Sequence, residues 1–296
     1  MKRLLVVFLV TLLLASCGNT NQGELVGVRK TSKPFYQPDP YGMVFVPMGS
    51  YTMGVGGQDI TSSQLAQPKT ISVSSFYMDE TEITNNEYRE FVYWVRDSIA
   101  RTLLGEIQPD VYLISENERT GEVYDPPYLN WDEKIEWNST EQDVRDALED
   151  MFLPEHERFF GRKEIDTRKL FYEYYWIDLQ AASRKEFGSD ADYQNASLAN
   201  RPQGLKDRSV YIKKEKINVY PDTLSWIHDY SYSFNDPLTE RYFWHSAYDH
   251  YPVVGVNWNQ ARAFCIWRTE KLNNYLKSQK GEMTLSEFRL PTEAEW

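Results

Sequence analysis

Apolar positions along the chain follow two periods, and each predicts its own elements. Between 257 and 277, Ala261, Phe264, Cys265, Arg268, Leu272, Tyr275 and Leu276 recur at spacings of three and four, with Arg262, Glu270 and Lys277 between them. That is the pattern of a helix with one inward face. Asn257 followed by Gln260 is an Asn form of the capping box, and the β-branched run Val253, Val254 and Val256 before it predicts a strand ending where the helix begins. Thr84-Asn85-Asn86-Glu87 is a full capping box with Ile83 and Tyr88 at its staple positions, opening a helix that turns Tyr88, Phe91, Val92, Val95 and Ile99 inward. Thr292 and Glu295 repeat the box after Pro291 and announce a further helix as the sequence stops, so a fragment of a longer protein is expected.

The second period is two. Val44, Val46 and Met48 alternate, Gly49-Ser50 reads as a turn, and Tyr51 and Met53 return, which predicts a hairpin with Pro47 confined to an edge or bulge. Ile71 and Val73 predict another strand, and 209–220 a strand entering the turn at Pro221 to Leu224. Between about 105 and 215 two helices are expected. The first spans 140–151, capped by Ser139, with Val144, Leu148 and Met151 inward. The second spans 167–187, capped by Thr167, with Leu170, Tyr174, Ile177 and Leu179 inward. The latter carries Phe171, Tyr172, Tyr174, Tyr175 and Trp176, and a helix apolar on every side is buried or docked.

Composition narrows the partners. The 296 residues are 41% hydrophobic and 15% aromatic, enough for a sizeable core, and 21 Tyr and 9 Trp add rings with polar rims. A net charge of -12 lacks the basic face that nucleic acid requires. The two cysteines are Cys17 and Cys265. Residues 1–16, with Lys2 and Arg3 ahead of a short apolar run, read as a lipoprotein signal peptide, and Leu14-Ala15-Ser16-Cys17 matches the bacterial lipobox with Cys17 as the lipidation site. Several acyl chains, at about 0.8 kcal/mol per buried methylene, make such an anchor permanent. Gly18 in place of Asp points to the outer membrane, periplasmic face, and 17–40, with Pro34, Pro38 and Pro40, suits a lipidated tether.

Signals for chemistry are sparse. The histidines, His156, His228, His245 and His250, show no metal-ligand spacing, although His245 and His250 flank Asp249 in an aromatic stretch; HExxH and GxSxG are missing. Ser98 in Asp97-Ser98-Ile99 and Thr223 in Asp222-Thr223-Leu224 fit the short Asp-Ser/Thr-aliphatic O-glycosylation sites of Bacteroidetes.

Two stretches in order, YPVVGVNWNQARAFCIW (251–267) and RLPTEAEW (289–296), together with MVFVPMGSYTMG and EITNNEYREF, resemble the formylglycine-generating enzyme (sulfatase-modifying factor) superfamily. The resemblance implies an α+β, C-type-lectin-like fold over 41–296 with a largely helical insertion at about 105–215. Oxidases of that superfamily use a reactive cysteine pair and copper. Cys265 falls among apolar neighbours and does not substitute, so no catalytic residue, cofactor or metal is expected. More narrowly, INVYPDTLSWIHDYSYSFNDPL (217–238) and YFWHSAYDHYPVVGVNW resemble gliding-motility and type IX secretion lipoproteins of the GldK/PorK type. This implies a non-catalytic outer-membrane lipoprotein that self-associates in a periplasmic ring with a GldN/PorN-type subunit, coupled to GldL/GldM-type motor components. The insertion and 230–245 are the expected contact surfaces. The alternatives are a formylglycine-type oxidase, if a C-terminal cysteine pair exists, and a lectin-like glycan-binding module using Trp226 and Trp244.

Overall fold

A computed structural model describes residues 39–54, 68–117, 120–183, 211–229, 232, 236–279 and 284–296. The signal segment, Cys17 and all of the tether before Asp39 lie outside the described residues, as does most of 230–235. Strand β1 (Met43–Val46) pairs antiparallel with β4 (Phe76–Asp79), and β2 (Gly49–Met53) with β3 (Lys69–Val73). One register runs through both pairs, so these four strands form a single long hairpin with a break at Pro47 and Met48. The expected turn at Gly49-Ser50 does not occur, and β1 and β2 do not face each other. Pro47 has no N–H for the ladder, so pairing lapses there and resumes beyond it.

Helix α1 (Asn85–Ile107) starts at the predicted box: the Thr84 N–H donates to Glu87 at 2.8 Å, and Thr84 Oγ1 accepts from the Glu87 N–H at 3.3 Å. Tyr88, Phe91, Val92 and Val95 are buried as expected, and the same stripe continues through Ala100 and Leu104. Then follow α2 (Pro109–Tyr112), the antiparallel pair β5 (Leu113–Glu116) and β6 (Val123–Leu129), and α3 (Gln142–Glu149). The last lies within the predicted span, but its N-cap is Glu141. Ser139 Oγ accepts the Glu141 N–H at 3.3 Å, one step short of capping.

The centre of the second predicted helix of the insertion is a strand, Leu179–Ser183 is helical, and 184–187 lie outside the described residues. Residues Phe171–Ile177 form β7, paired along its whole length with β8 (Ile212–Asn218). Thr167 opens only a short 3-10 turn, capped by Asp166, whose carboxylate accepts the Arg168 N–H at 3.1 Å. Aromatic and β-branched side chains suit a pleated, half-buried surface better than a helix, where they lose χ1 freedom. Consecutive aromatics that crowd a helix all round sort on a strand to two faces. Among its described residues the insertion consists of paired strands and short helices rather than being largely helical.

Beyond α4 (Leu179–Ser183) and β8 come α5 (Ser225–Asp229), α6 (Pro237–Arg241) and α7 (Trp258–Ser278), the last opened by the predicted Asn257–Gln260 box. The strand expected at 251–256 is reduced to one bridge, Thr84 to Pro252. There Gly255 takes φ +81°, and a Cβ would sit 2.1 Å from the Asp222 carbonyl oxygen, so only glycine fits. The inward face of α7 is Gln260, Ala263, Phe264, Ile266, Trp267 and Thr269; Ala261, Cys265, Arg268, Leu272 and Leu276 are half-buried and Tyr275 is exposed. The helix is turned from its predicted orientation because Phe264 and Trp267, the largest rings, take the core. Arg268 instead holds Asp79 through two hydrogen bonds of 2.8 Å. At Thr292 the box bonds form around a turn at 293–295, with the Thr292 N–H donating to Glu295 at 2.8 Å.

Two hydrophobic clusters organise the body. The first joins Tyr88, Phe91, Val92 and Val95 of α1 to Tyr172 and Tyr174 of β7, Val219, Phe243, and Phe264 and Trp267 of α7. The second joins Ala100 and Leu104 to Tyr112, Val144, Leu148 and Met151, and α1 runs through both. The mixed helix and strand content makes the fold α+β. Among the described residues, no helix is long and apolar enough to cross a membrane.

Candidate functional site

The hairpin β7–β8 carries the most distinctive surface. Its alternation puts Tyr172, Tyr174 and Trp176 on one face and Phe171, Glu173, Tyr175 and Ile177 on the other. On the inner face the Tyr172 hydroxyl donates to Glu270 of α7 at 3.2 Å, and the Tyr174 hydroxyl donates to Glu215. Burial pushes both phenols well above the usual tyrosine range, and the adjoining carboxylates push the same way. Arg262 of α7 lies 3.8 Å from the centre of the Trp176 ring and 5.4 Å from that of Trp258, a cation between two indoles that pins the hairpin to the helix.

The outer face meets solvent. Phe171 is 43% exposed, Tyr175 58% and Ile177 59%. Lys216 stands 5.2 Å from the Phe171 ring centre and Lys214 5.7 Å from that of Tyr175; Lys214 also pairs with Glu173, which raises its pKa and lowers that of the carboxyl. Ile212, opposite Ile177, is half exposed. A stiff ribbon thus shows an apolar row with a positive edge on a chain whose net charge is -12. Read with period two, 171–177 would have revealed this row.

A second surface was also missed by sequence reasoning. Phe159 and Phe160 lie in a short turn, both exposed, with Phe160 at φ +48°. That conformation costs a residue with a Cβ roughly 1–2 kcal/mol. The sequence signal was two adjacent phenylalanines between Arg158 and Gly161-Arg162.

Other predicted positions fall apart from these. Ser98 is half-buried within α1, its carbonyl accepting from the Thr102 hydroxyl at 2.9 Å; Thr223 is half-buried in the turn after β8, close to Gly255. Asp249 is engaged by Arg89, and His245 Nδ1 accepts the Ala247 N–H at 3.1 Å, so this stretch is tied internally. Trp226 is half-buried against Tyr242, and Trp244 donates its indole N–H to the Tyr220 hydroxyl. Among the described residues, no group of three His, Cys, Asp or Glu gathers as a metal site.

Cys265 is half-buried on α7, and burial pushes its pKa up to about 11. Among the described residues no second cysteine stands beside it. The sequence's other cysteine, Cys17, lies outside the described residues. Cys265 by itself therefore does not make a copper–dithiolate centre.

No curated protein and no solved structure matches the chain. Residues 28–296 match the Sulfatase-modifying factor enzyme 1-like domain, the FGE-sulfatase family, across both capping-box segments, the long hairpin and the insertion. By that match, over most of its length, the chain belongs to the FGE-sulfatase family.

Proposed function

We propose that the protein is a non-catalytic outer-membrane lipoprotein, anchored through Cys17 on the periplasmic side, that serves as a scaffold subunit. On this reading it self-associates with a GldN/PorN-type partner in a ring of the type IX secretion machine, couples to GldL/GldM-type motor components and supports gliding where the cell glides. The observation that carries the scaffold reading is the outer face of β7–β8: Phe171, Tyr175, Ile177 and Ile212 stand in water on a ribbon whose opposite face is locked into the core. An exposed apolar row on a rigid support is what a subunit contact needs, since little conformational entropy remains to be lost on docking. The secretion and motility assignment draws on the resemblance of 217–238 and 242–258. The oxidase alternative requires a C-terminal cysteine pair, which Cys265 alone does not supply.

Mass spectrometry of the full chain from bacterial envelopes is expected to find acyl chains on Cys17, and mild-detergent extraction to yield a large complex containing a second periplasmic subunit. An unmodified Cys17 contradicts the anchoring, and a monomer in the extract contradicts the scaffold. Conversion of cysteine peptides to formylglycine by the purified chain contradicts the non-catalytic reading.

A further inference from the structure

The loop from Leu153 to Glu164 is closed at its base by the bridge between Phe152 and Ile165, by the Leu153 N–H donating to the Glu164 carbonyl at 2.8 Å, and by the Asp166 N–H donating to that of Met151 at 2.8 Å. From this base it projects Phe159 and Phe160, which are 69% and 86% exposed, with ring centres 4.4 Å apart in an edge-to-face pair. The Arg162 N–H closes the tip on the Phe159 carbonyl at 3.1 Å, and Phe160 is held in the left-handed region, where a side chain is unfavourable. Single exposed apolar residues are ordinary. Two adjacent rings in water, one of them strained, on a loop with fixed ends, are not. Arg158 is committed to Glu149 and to the Leu153 carbonyl, Lys163 to Glu149, and Arg168 to Asp166 and Glu157. Arg162 is exposed and makes no ion pair among the described residues.

We propose that this tip is a bilayer contact: the rings of Phe159 and Phe160 enter the boundary between acyl chains and headgroups of an anionic phospholipid surface, and Arg162 lies among the phosphates. Apolar side chains beside cations fit that boundary on both counts. The chain's net charge of -12 repels the same surface, whereas the loop 153–164 carries three acidic and three basic side chains and no net charge, so approach by this tip is less opposed than the whole chain's charge implies. Two rings alone would hold only marginally, as a single acyl chain does. This contact therefore rests on the lipid-anchored reading above: from Cys17 to Tyr41 the chain spans at most about 80 Å, which keeps the tip at high local concentration near the leaflet.

The test uses the chain from Gly18 onward, which carries neither leader nor acyl site and contains both hydrophobic clusters. Co-sedimentation at low salt with vesicles of phosphatidylethanolamine and phosphatidylglycerol is expected to show weak binding. Phe159→Ser with Phe160→Ser should lower it on the order of tenfold, and Arg162→Glu about fivefold. Phe160→Gly should weaken binding while raising the melting temperature, because it relieves the left-handed strain; this separates the contact from loss of fold. A second arm places the acylated chain in vesicles with a polarity-sensitive dye on Phe160→Cys, and a blue shift quenched by spin-labelled lipid is expected. Equal sedimentation of the parent chain and the double variant, or a dye that stays water-exposed, overturns the proposal. So does a tip that loses a protein partner and no lipid when mutated. An unmodified Cys17 in the native protein would defeat the anchoring reading and leave the co-sedimentation result intact.

Discussion

The two faces of the β7–β8 hairpin are built from the same residue types and behave oppositely. Inward, Tyr172 and Tyr174 are buried, with hydroxyls spent on Glu270 and Glu215. Outward, Phe171 and Tyr175 stand in solvent beside lysines whose ammonium groups lie near their rings. One strand thus divides its aromatics between holding the fold and offering a surface, and the alternation of the pleat alone makes the division. Tyr content by itself says nothing about which task a ring performs. The face decides.

Substitutions should separate the faces. Tyr174→Ala, which empties a fully enclosed site, is expected to cost about 3–5 kcal/mol in chemical denaturation; a cost below about 1 kcal/mol would mean the inner face is not core. Arg262→Ala removes the cation between Trp176 and Trp258 and should cost about 1–2 kcal/mol. Tyr172→Phe keeps the ring and loses only the bond to Glu270, so about 1 kcal/mol is expected. Lys214→Ala on the outer face should leave the melting temperature unchanged, since the pair it breaks is fully solvated.

Alkaline titration sharpens the same contrast. Burial raises the pKa values of Tyr88, Tyr172 and Tyr174 above the usual range, and that of Tyr220 to about 12. In the unfolded chain these phenols ionise near pH 10, while in the fold they keep their protons. The unfolded state then binds fewer protons, so stability is intact below about pH 10 and falls as pH rises past it. Denaturation curves at pH 8 and pH 11 should show the loss, and Tyr172→Phe should reduce it.

Local chemistry made much of the body readable. Thr84 and Glu87, and Asn257 and Gln260, each begin a helix where the box predicts, because the bonds that define the motif lie within four residues. What was not readable depends on distant partners. Phe171 to Ile177 satisfies a helix stripe until β8, dozens of residues later, supplies the ladder that makes it a strand. Pro47 reads as a ladder-breaker from the sequence alone, but the pairing of β1 with β4 rather than β2 depends on strands beyond residue 68. The orientation of α7 is set by which rings the core accepts, and Gly255 is required by the Asp222 carbonyl, contacts no periodicity records. The outer row and the Phe159–Phe160 tip lay unread for a related reason: exposure becomes visible only once the fold decides what remains uncovered.

The measurement that bears most directly on the scaffold reading is the size of the complex released from envelopes by the full chain and by Phe171→Ala with Tyr175→Ala. Both positions face solvent, so the double variant should melt with the parent chain, within about 1 kcal/mol of its stability. The account predicts that the parent chain elutes in a large assembly and that the folded double variant elutes alone. A double variant that folds and still assembles in full would contradict it.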